Sequence, residues 1–207
     1  MATVPTKAGS RRNHDRKLRE LVDVAARLFA EHGYHATSIE NLLSATGMTR
    51  GALYHYIDSK QDLLIAVQRE LLEPLLEAAR PAIAEVAGDP EAELRALARE
   101  WVLHVESHRD HMVVFNAERR LVEHDPRWAE VVAARNEFEG LLAAIFERGE
   151  QAGLFGVEDR SLAMLAFLGM VNHMPSWFDP DGRLSAAEVA DRFVDVVLGG
   201  IRTQHGR

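Results

Sequence analysis

The sequence predicts an all-α fold, and three features carry that prediction. Apolar residues recur at helical spacing along most of the chain, helix-start signatures recur in step with those stripes, and no segment alternates convincingly in the manner of a strand. With 207 residues the chain can bury a substantial core in one large or two modest domains. The expected organisation is a flexible basic arm over 1–13, a three-helix domain over 14–60 and a larger helical body over 61–207, with about nine helices in all.

In the first helix Leu18, Leu21, Val22, Ala25, Leu28 and Phe29 form one apolar stripe, which ends near Gly33. Thr37, Ser38, Ile39 and Glu40 read as a capping box opening a short second helix at Thr37, with the Thr hydroxyl and the Glu carboxylate satisfying orphan backbone donors. Gly47 stops this helix after about two turns, and Thr49 caps a third from Arg50 to about Ile57. Asp58 and Gln61 make a box-like start for a long helix, expected to be kinked or divided at Pro74 and Pro81. Asp89 before Pro90, and Asp125 before Pro126, set a capping acid ahead of a proline whose missing N–H costs nothing in the first turn. They predict helices over about 90–107 and 126–152, with Asp110 capping a shorter one through Val122. Gly153 and Gly156 precede a helix over about 159–174, and Ser185 with Glu188 forms a last capping box for a helix to about Thr203. The lack of a 20–50-residue period excludes a repeat array.

Cysteine is absent, which excludes disulfides, thiolate metal sites and cysteine nucleophiles and asks for no oxidising compartment. The longest apolar run, Leu162 to Val171, is too short for a membrane span, and no basic-then-apolar leader opens the chain, so a cytoplasmic protein is expected. Net charge is −8, yet residues 1–60 hold nine Lys/Arg against six Asp/Glu, and the remainder holds 15 against 26. A basic head on an acidic body fits a polyanion met by one end only; a solvated basic tail with no partner is the alternative.

A short capped helix, a Gly turn and a second short capped helix are the parts of a helix-turn-helix. With Gly47 at the turn, Leu42, Met48 and Leu53 sit where the helices must touch. Thr49, Arg50, Ala52, Tyr54 and His55 are left on an outer face narrow enough for a DNA major groove, although a solvated helical hairpin would have the same spacing. The wider string runs Gly33-Tyr34-His35-Ala36-Thr37-Ser38-Ile39, then Gly47-Met48-Thr49-Arg50-Gly51-Ala52-Leu53-Tyr54, then Ser59-Lys60-Gln61-Asp62-Leu63. It resembles the head of the tetracycline-repressor (TetR) family of transcriptional regulators over about residues 15–65. Leu43 stands where that family usually has alanine, and Ile57 where it commonly has phenylalanine. The resemblance implies that Arg50 and its neighbours on the recognition helix meet bases while Thr37, Tyr54 and Lys60 grip phosphates of a double-stranded operator. Hydroxyls and a helix N-terminus suit phosphate oxygens, and Arg suits a guanine edge. Gly51 would let backbone approach DNA closely, or would serve packing. Arg11, Arg12, Arg16 and Lys17 are candidates for further phosphate contacts.

Large residues crowd the middle of the body. Trp101, Met112, Phe115, Phe138, Phe146, Met164, Phe167, Met170 and Trp177 read one by one as core and as a set as the wall of an apolar effector cavity, with His104, Asn116 and His173 as polar orienters. Leu168-Gly169-Met170-Val171-Asn172 and the run Trp177 to Ser185 resemble a branch of the family that regulates lipid and steroid breakdown in response to acyl-CoA thioesters. That branch tends to carry Arg before the tryptophan, where this chain has Ser176. His104, His108 and His111, with Glu106 between and His124 beyond, have the spacing of one helix face and so are either divalent-metal ligands or ordinary histidines; the pattern crosses an expected helix break at Arg109-Asp110, and no metal or other cofactor is assigned. Leu162, Leu165, Ala166 and Gly169 on one helix, and Val189, Phe193, Val196, Val197 and Gly200 on the last, form apolar stripes. The resemblance implies that they build a homodimer as a four-helix bundle, which would present two heads to a palindromic site. The expected function is thus a ligand-responsive dimeric repressor and not an enzyme. The rival readings are a DNA-binding protein without effector, and an enzyme using the histidines with Glu118 or Asp110, for which no catalytic motif is found.

Overall fold

The computed structural model describes residues 7–119, 126–156 and 158–201. These form nine α-helices: α1 (Lys7–His32), α2 (Ile39–Thr46), α3 (Arg50–Leu53), α4 (Lys60–Glu85), α5 (Pro90–Ser107), α6 (Arg109–Ala117), α7 (Ala129–Gln151), α8 (Arg160–Asn172) and α9 (Ala186–Ile201). No β-strand occurs among the described residues, and none of their helices is long and apolar enough to cross a membrane. Val122, His124 and Asp125 lie outside the described residues.

Most helix starts fall where the sequence places them, and at two of the differences the physical cause is the same; the expected helix from Pro126 opens as a 3₁₀ turn, Pro126–Trp128, with α7 starting at Ala129. At α2 the N-cap is Ser38, not Thr37: the Ser38 hydroxyl accepts the Asn41 N–H, and the Asn41 side chain takes the Ser38 N–H. At α4 the cap is Ser59, not Asp58, and its hydroxyl accepts the Asp62 N–H. Each site offers two adjacent capping residues, and tertiary packing selects the second. Asp110 does not cap α6, which begins at Arg109 behind His108 with no side-chain cap and ends at Ala117. The expected flexible arm over 1–13 is helical from Lys7 onward, because α1 extends over 26 residues. The third helix closes after Leu53, although Tyr56 and Ile57 still donate to the Leu53 carbonyl. Asp89 and Ser185 cap as expected, the latter through a reciprocal pair with Glu188, and α8 gains a cap the sequence analysis did not assign, Asp159, which accepts the Leu162 N–H.

Neither proline divides α4, which runs unbroken for 26 residues through Pro74 and Pro81. Each proline removes one backbone donor, and burial of Leu71, Leu72, Leu75, Leu76 and Ala79 on both flanks keeps the chain helical. This helix is the spine of the molecule. One core, with Leu21, Phe29, Leu42, Leu53 and Leu63, continues along α4 to Leu72 and takes in Val114 and Trp128. The second begins one residue earlier, at Leu71, and holds α5, α7, α8 and α9 together. The expected boundary at residue 60 therefore divides the elements without dividing the cores. A buried carboxylate fixes the far end of the body: Glu93, 2% exposed, accepts the Arg148 guanidinium and the Gly88 N–H. The nearby Gly149 is required by packing, since a Cβ there would lie 2.1 Å from the Phe155 ring.

Candidate functional site

Gly47 turns α2 into α3 in the left-handed conformation, with φ 67°, and its N–H donates to the Leu43 carbonyl. Thr49 then caps α3 by accepting the Ala52 N–H. Leu42 and Leu53 are fully buried at the crossing and Met48 packs beside them, while Thr49, Arg50, Gly51, Ala52, Tyr54 and His55 are exposed together. Arg50 is ion-paired to Glu40 of α2 across this surface. The Glu40 carboxyl is held below its usual range, first by its own backbone N–H and also by Arg50. His14 of α1 stacks on Tyr56, with ring centroids 4.7 Å apart, and meets His55 edge-on. A Cβ at Gly51 would meet no atom within 4 Å, so packing does not demand glycine there.

Two expected phosphate ligands occupy a different place. Thr37 is buried, and its hydroxyl donates to the Gly33 carbonyl at 2.9 Å and the Leu28 carbonyl at 3.3 Å. Lys60 is half-buried; its ammonium donates to the Tyr34 carbonyl at 2.8 Å and the Thr37 carbonyl at 2.9 Å, and lies 4.4 Å from the Tyr34 ring centroid. Thr37 ties the α1–α2 turn back to the end of α1, and Lys60 fastens it to the start of α4. Their chemistry suits a phosphate, but here backbone carbonyls of α1 and of the α1–α2 turn take it.

The body contains a cavity of about 200 Å³. Of the residues expected there, Trp101, His104, Met112, Phe115, Asn116 and Phe138 line it, with Leu71, Leu72, Leu75 and Leu168. Phe146, Met164, Phe167, Met170, His173 and Trp177 do not; Phe146 and Phe167 are sealed in the core, against which Met164 packs. Met170 packs half-buried against the body core, His173 ends α8 in solvent, and Trp177 is 50% exposed, touching Phe178 and Phe193. Helical spacing put them on the wall; α8 ends before His173, and the turn at Met174–Ser176 carries Trp177 away from it. The cavity also gathers polar residues that the sequence reading missed: Arg119, Arg135, Glu139 and Asn172. Arg135 was legible, because it falls on the buried stripe of α7 that runs through Val131, Phe138, Leu142 and Ile145.

The histidines form a ring stack. His104 lies 4.0 Å from His108 between centroids, and His108 meets His111 edge-on at 5.6 Å. His104 Nε2 donates to the Leu71 carbonyl at 2.7 Å, and burial, helped by His108, pushes its pKa down to about 4. Burial likewise lowers His111, whose Nε2 is 3.8 Å from an Asp23 carboxylate oxygen on α1. Among the described residues no three metal-ligating side chains converge.

On the outer side of the body Leu162, Leu165 and Val196 are 64%, 58% and 65% exposed, and Gly169 is exposed with open space around it. Val189, expected on the same surface, is buried in the body's own core, and Phe193 is half-buried against it. Leu165 and Gly169 also border the cavity, so α8 separates it from this apolar face.

A family model described as bacterial regulatory proteins of the tetR family matches residues 21–67, and one described as tetracyclin repressor-like, C-terminal domain, matches residues 87–201. The chain belongs to the TetR family. Among its relatives is the HTH-type transcriptional repressor KstR2 of Rhodococcus jostii, 28% identical over 90% of this chain and 91% of the relative. The TetR regulator PfmR of Thermus thermophilus is 33% identical, with TM-score 0.76 over 86% of this chain and 97% of its own. AibR, solved in complex with isovaleryl coenzyme A and operator DNA, is 30% identical, with TM-score 0.75 over 86% and 96%. This TetR-family chain is a transcriptional repressor with an N-terminal DNA-binding domain and a ligand-binding domain behind it.

Proposed function

We propose that the chain is a cytoplasmic homodimeric repressor that holds a palindromic operator through α3 and releases it when a small, largely apolar effector enters the body cavity. The observation that carries this reading is α4 itself. Its first residue is fastened to the head through Lys60, and eleven residues on, Leu71 and Leu72 line the cavity. A ligand that fits better with α4 tilted favours a conformer whose two heads are mis-spaced; a ligand binding both conformers equally shifts nothing. The exposed face with Thr49, Arg50, Gly51, Tyr54 and His55 is the base- and phosphate-reading surface, and DNA must displace Glu40 from Arg50 to use it.

The dimer is built on α8 and α9 through Leu162, Leu165, Gly169 and Val196, where open glycines permit close approach. Two copies set their recognition helices about 34 Å apart, or a multiple of that, on one face of the duplex. An acyl-CoA thioester is the effector class supported by AibR, whose solved complex holds isovaleryl coenzyme A. A gel shift on palindromic DNA from beside the chain's own gene, with and without short acyl-CoA thioesters, tests the reading. Retarded DNA that the thioester frees is the expected result. Sedimentation as a monomer at micromolar concentration would remove the dimer.

A further inference from the structure

We propose that the cavity is a site for an amphiphile with an anionic head, the head being held between Arg119 and Arg135 and the apolar tail lying against Trp101, Met112 and Phe138. The proposal deepens the effector reading above and rests on it. Six arginines of the body, Arg69, Arg80, Arg95, Arg127, Arg148 and Arg160, are ion-paired to carboxylates. Arg119 and Arg135, like Arg99, Arg109, Arg183 and Arg192, form no ion pair among the described residues, and of these only Arg119 and Arg135 line the cavity. The Arg135 Nε is buried with no hydrogen-bond partner. A buried guanidinium N–H without an acceptor costs free energy until an acceptor arrives, and a planar fork of donors suits a carboxylate or a phosphate.

The remaining polar groups define how much charge the site takes. Glu139, one turn after Arg135 on α7, also lines the cavity and forms no ion pair with it. His104 is kept neutral by burial and committed to the Leu71 carbonyl, and the Asn116 amide donates to the Asn172 carbonyl at 2.7 Å. Two guanidiniums against one carboxylate leave a single positive charge, which one anionic group neutralises. The same chemistry is offered by the carboxylate of a free short-chain acid and by a phosphate of a thioester whose carrier extends outside.

Calorimetric titration of the full-length chain with octanoate, octanoyl-CoA and 1-octanol tests the proposal and separates those sources. Octanoate binding identifies the head as a carboxylate, and binding of octanoyl-CoA alone identifies it as a phosphate. In either case Arg135→Gln is expected to weaken the anionic probe tenfold or more, Arg135→Lys to recover part of the loss, and 1-octanol to be unaffected. Arg119→Gln, at an exposed position, gives the same direction without touching the core, and thermal melting confirms that each variant is folded. The proposal is overturned by equal affinity for 1-octanol and the anions, by binding that ignores both arginines, or by no binding of either anion at millimolar concentration. Operator affinity of the unliganded chain is measured separately. Its loss would sink the repressor reading, whereas retained operator binding with no arginine dependence would sink this one alone.

Discussion

In the head, Leu42, Leu53 and Leu63 are completely sealed and even the polar Thr37 and Lys60 are consumed by internal carbonyls, whereas the body keeps an open cavity beside Trp101 and leaves Arg135 partly unpaired. The head is thus a rigid block whose outer face is free to read a surface, and the body is a frame whose inner face is incomplete. A regulator needs both: a DNA-reading face must keep its geometry, and a sensing site must have something to gain from a ligand.

The largest effect that sharpens this contrast is in the sealed core. Leu53→Ala is expected to cost about 2–5 kcal/mol by thermal or denaturant unfolding. Leu165→Ala, exposed beside the cavity, is expected to cost under about 1 kcal/mol in the monomer. A cost at Leu165 that grows with protein concentration would show the α8 face to be covered by a second copy.

Acid should separate the two regions next. The folded pKa of His104 is depressed to about 4 by burial, and His111 is depressed in the same direction. The folded state therefore favours the neutral rings, while the unfolded chain takes up protons from about pH 6.5 downward. Stability present above about pH 6.5 is expected to fall progressively as pH drops toward about 4. His108, Asp23 and Asp110 face these rings and modulate the slope. A His104→Gln variant that melts with the same pH dependence as the parent would show that His104 is not responsible.

Arg50→Ala is expected to lose about 1–3 kcal/mol on the operator and to relax base preference at one position of each half-site. Equal losses on operator and random DNA would reassign Arg50 to the backbone. Lys60→Met is expected to cost about 1.5 kcal/mol of stability, as a charged donor is removed from two carbonyls, and to leave the salt dependence of DNA binding unchanged. A salt slope reduced by about 0.9 would restore the phosphate contact. The smallest effect is the most discriminating. Gly51→Ala should stabilise the head by about 0.5–1 kcal/mol, since its Cβ meets no neighbour, yet weaken DNA binding where backbone must approach the duplex.

Helix identity was legible because caps and stripes are local: Asp89, Ser185 and Gly47 each act within one turn of themselves. The short polar face on α3 and its apolar partners Leu42 and Leu53 were legible for the same reason, and the motif around them named the family. Tertiary structure decided everything that depends on which neighbour reaches a group first. Thr37 and Ser38 are equally good caps in sequence, and only the inward turn of Thr37 toward the Leu28 and Gly33 carbonyls leaves the cap to Ser38. Lys60 has the chemistry of a phosphate ligand, and only the proximity of Tyr34, 26 positions earlier, commits it inward. Trp177 and Arg135 exchanged places by the same rule. An aromatic residue that reads as cavity wall is carried to the surface by a turn, and a charged residue that reads as surface sits on a buried stripe, because burial is set by the packing of whole helices and not by the character of one side chain.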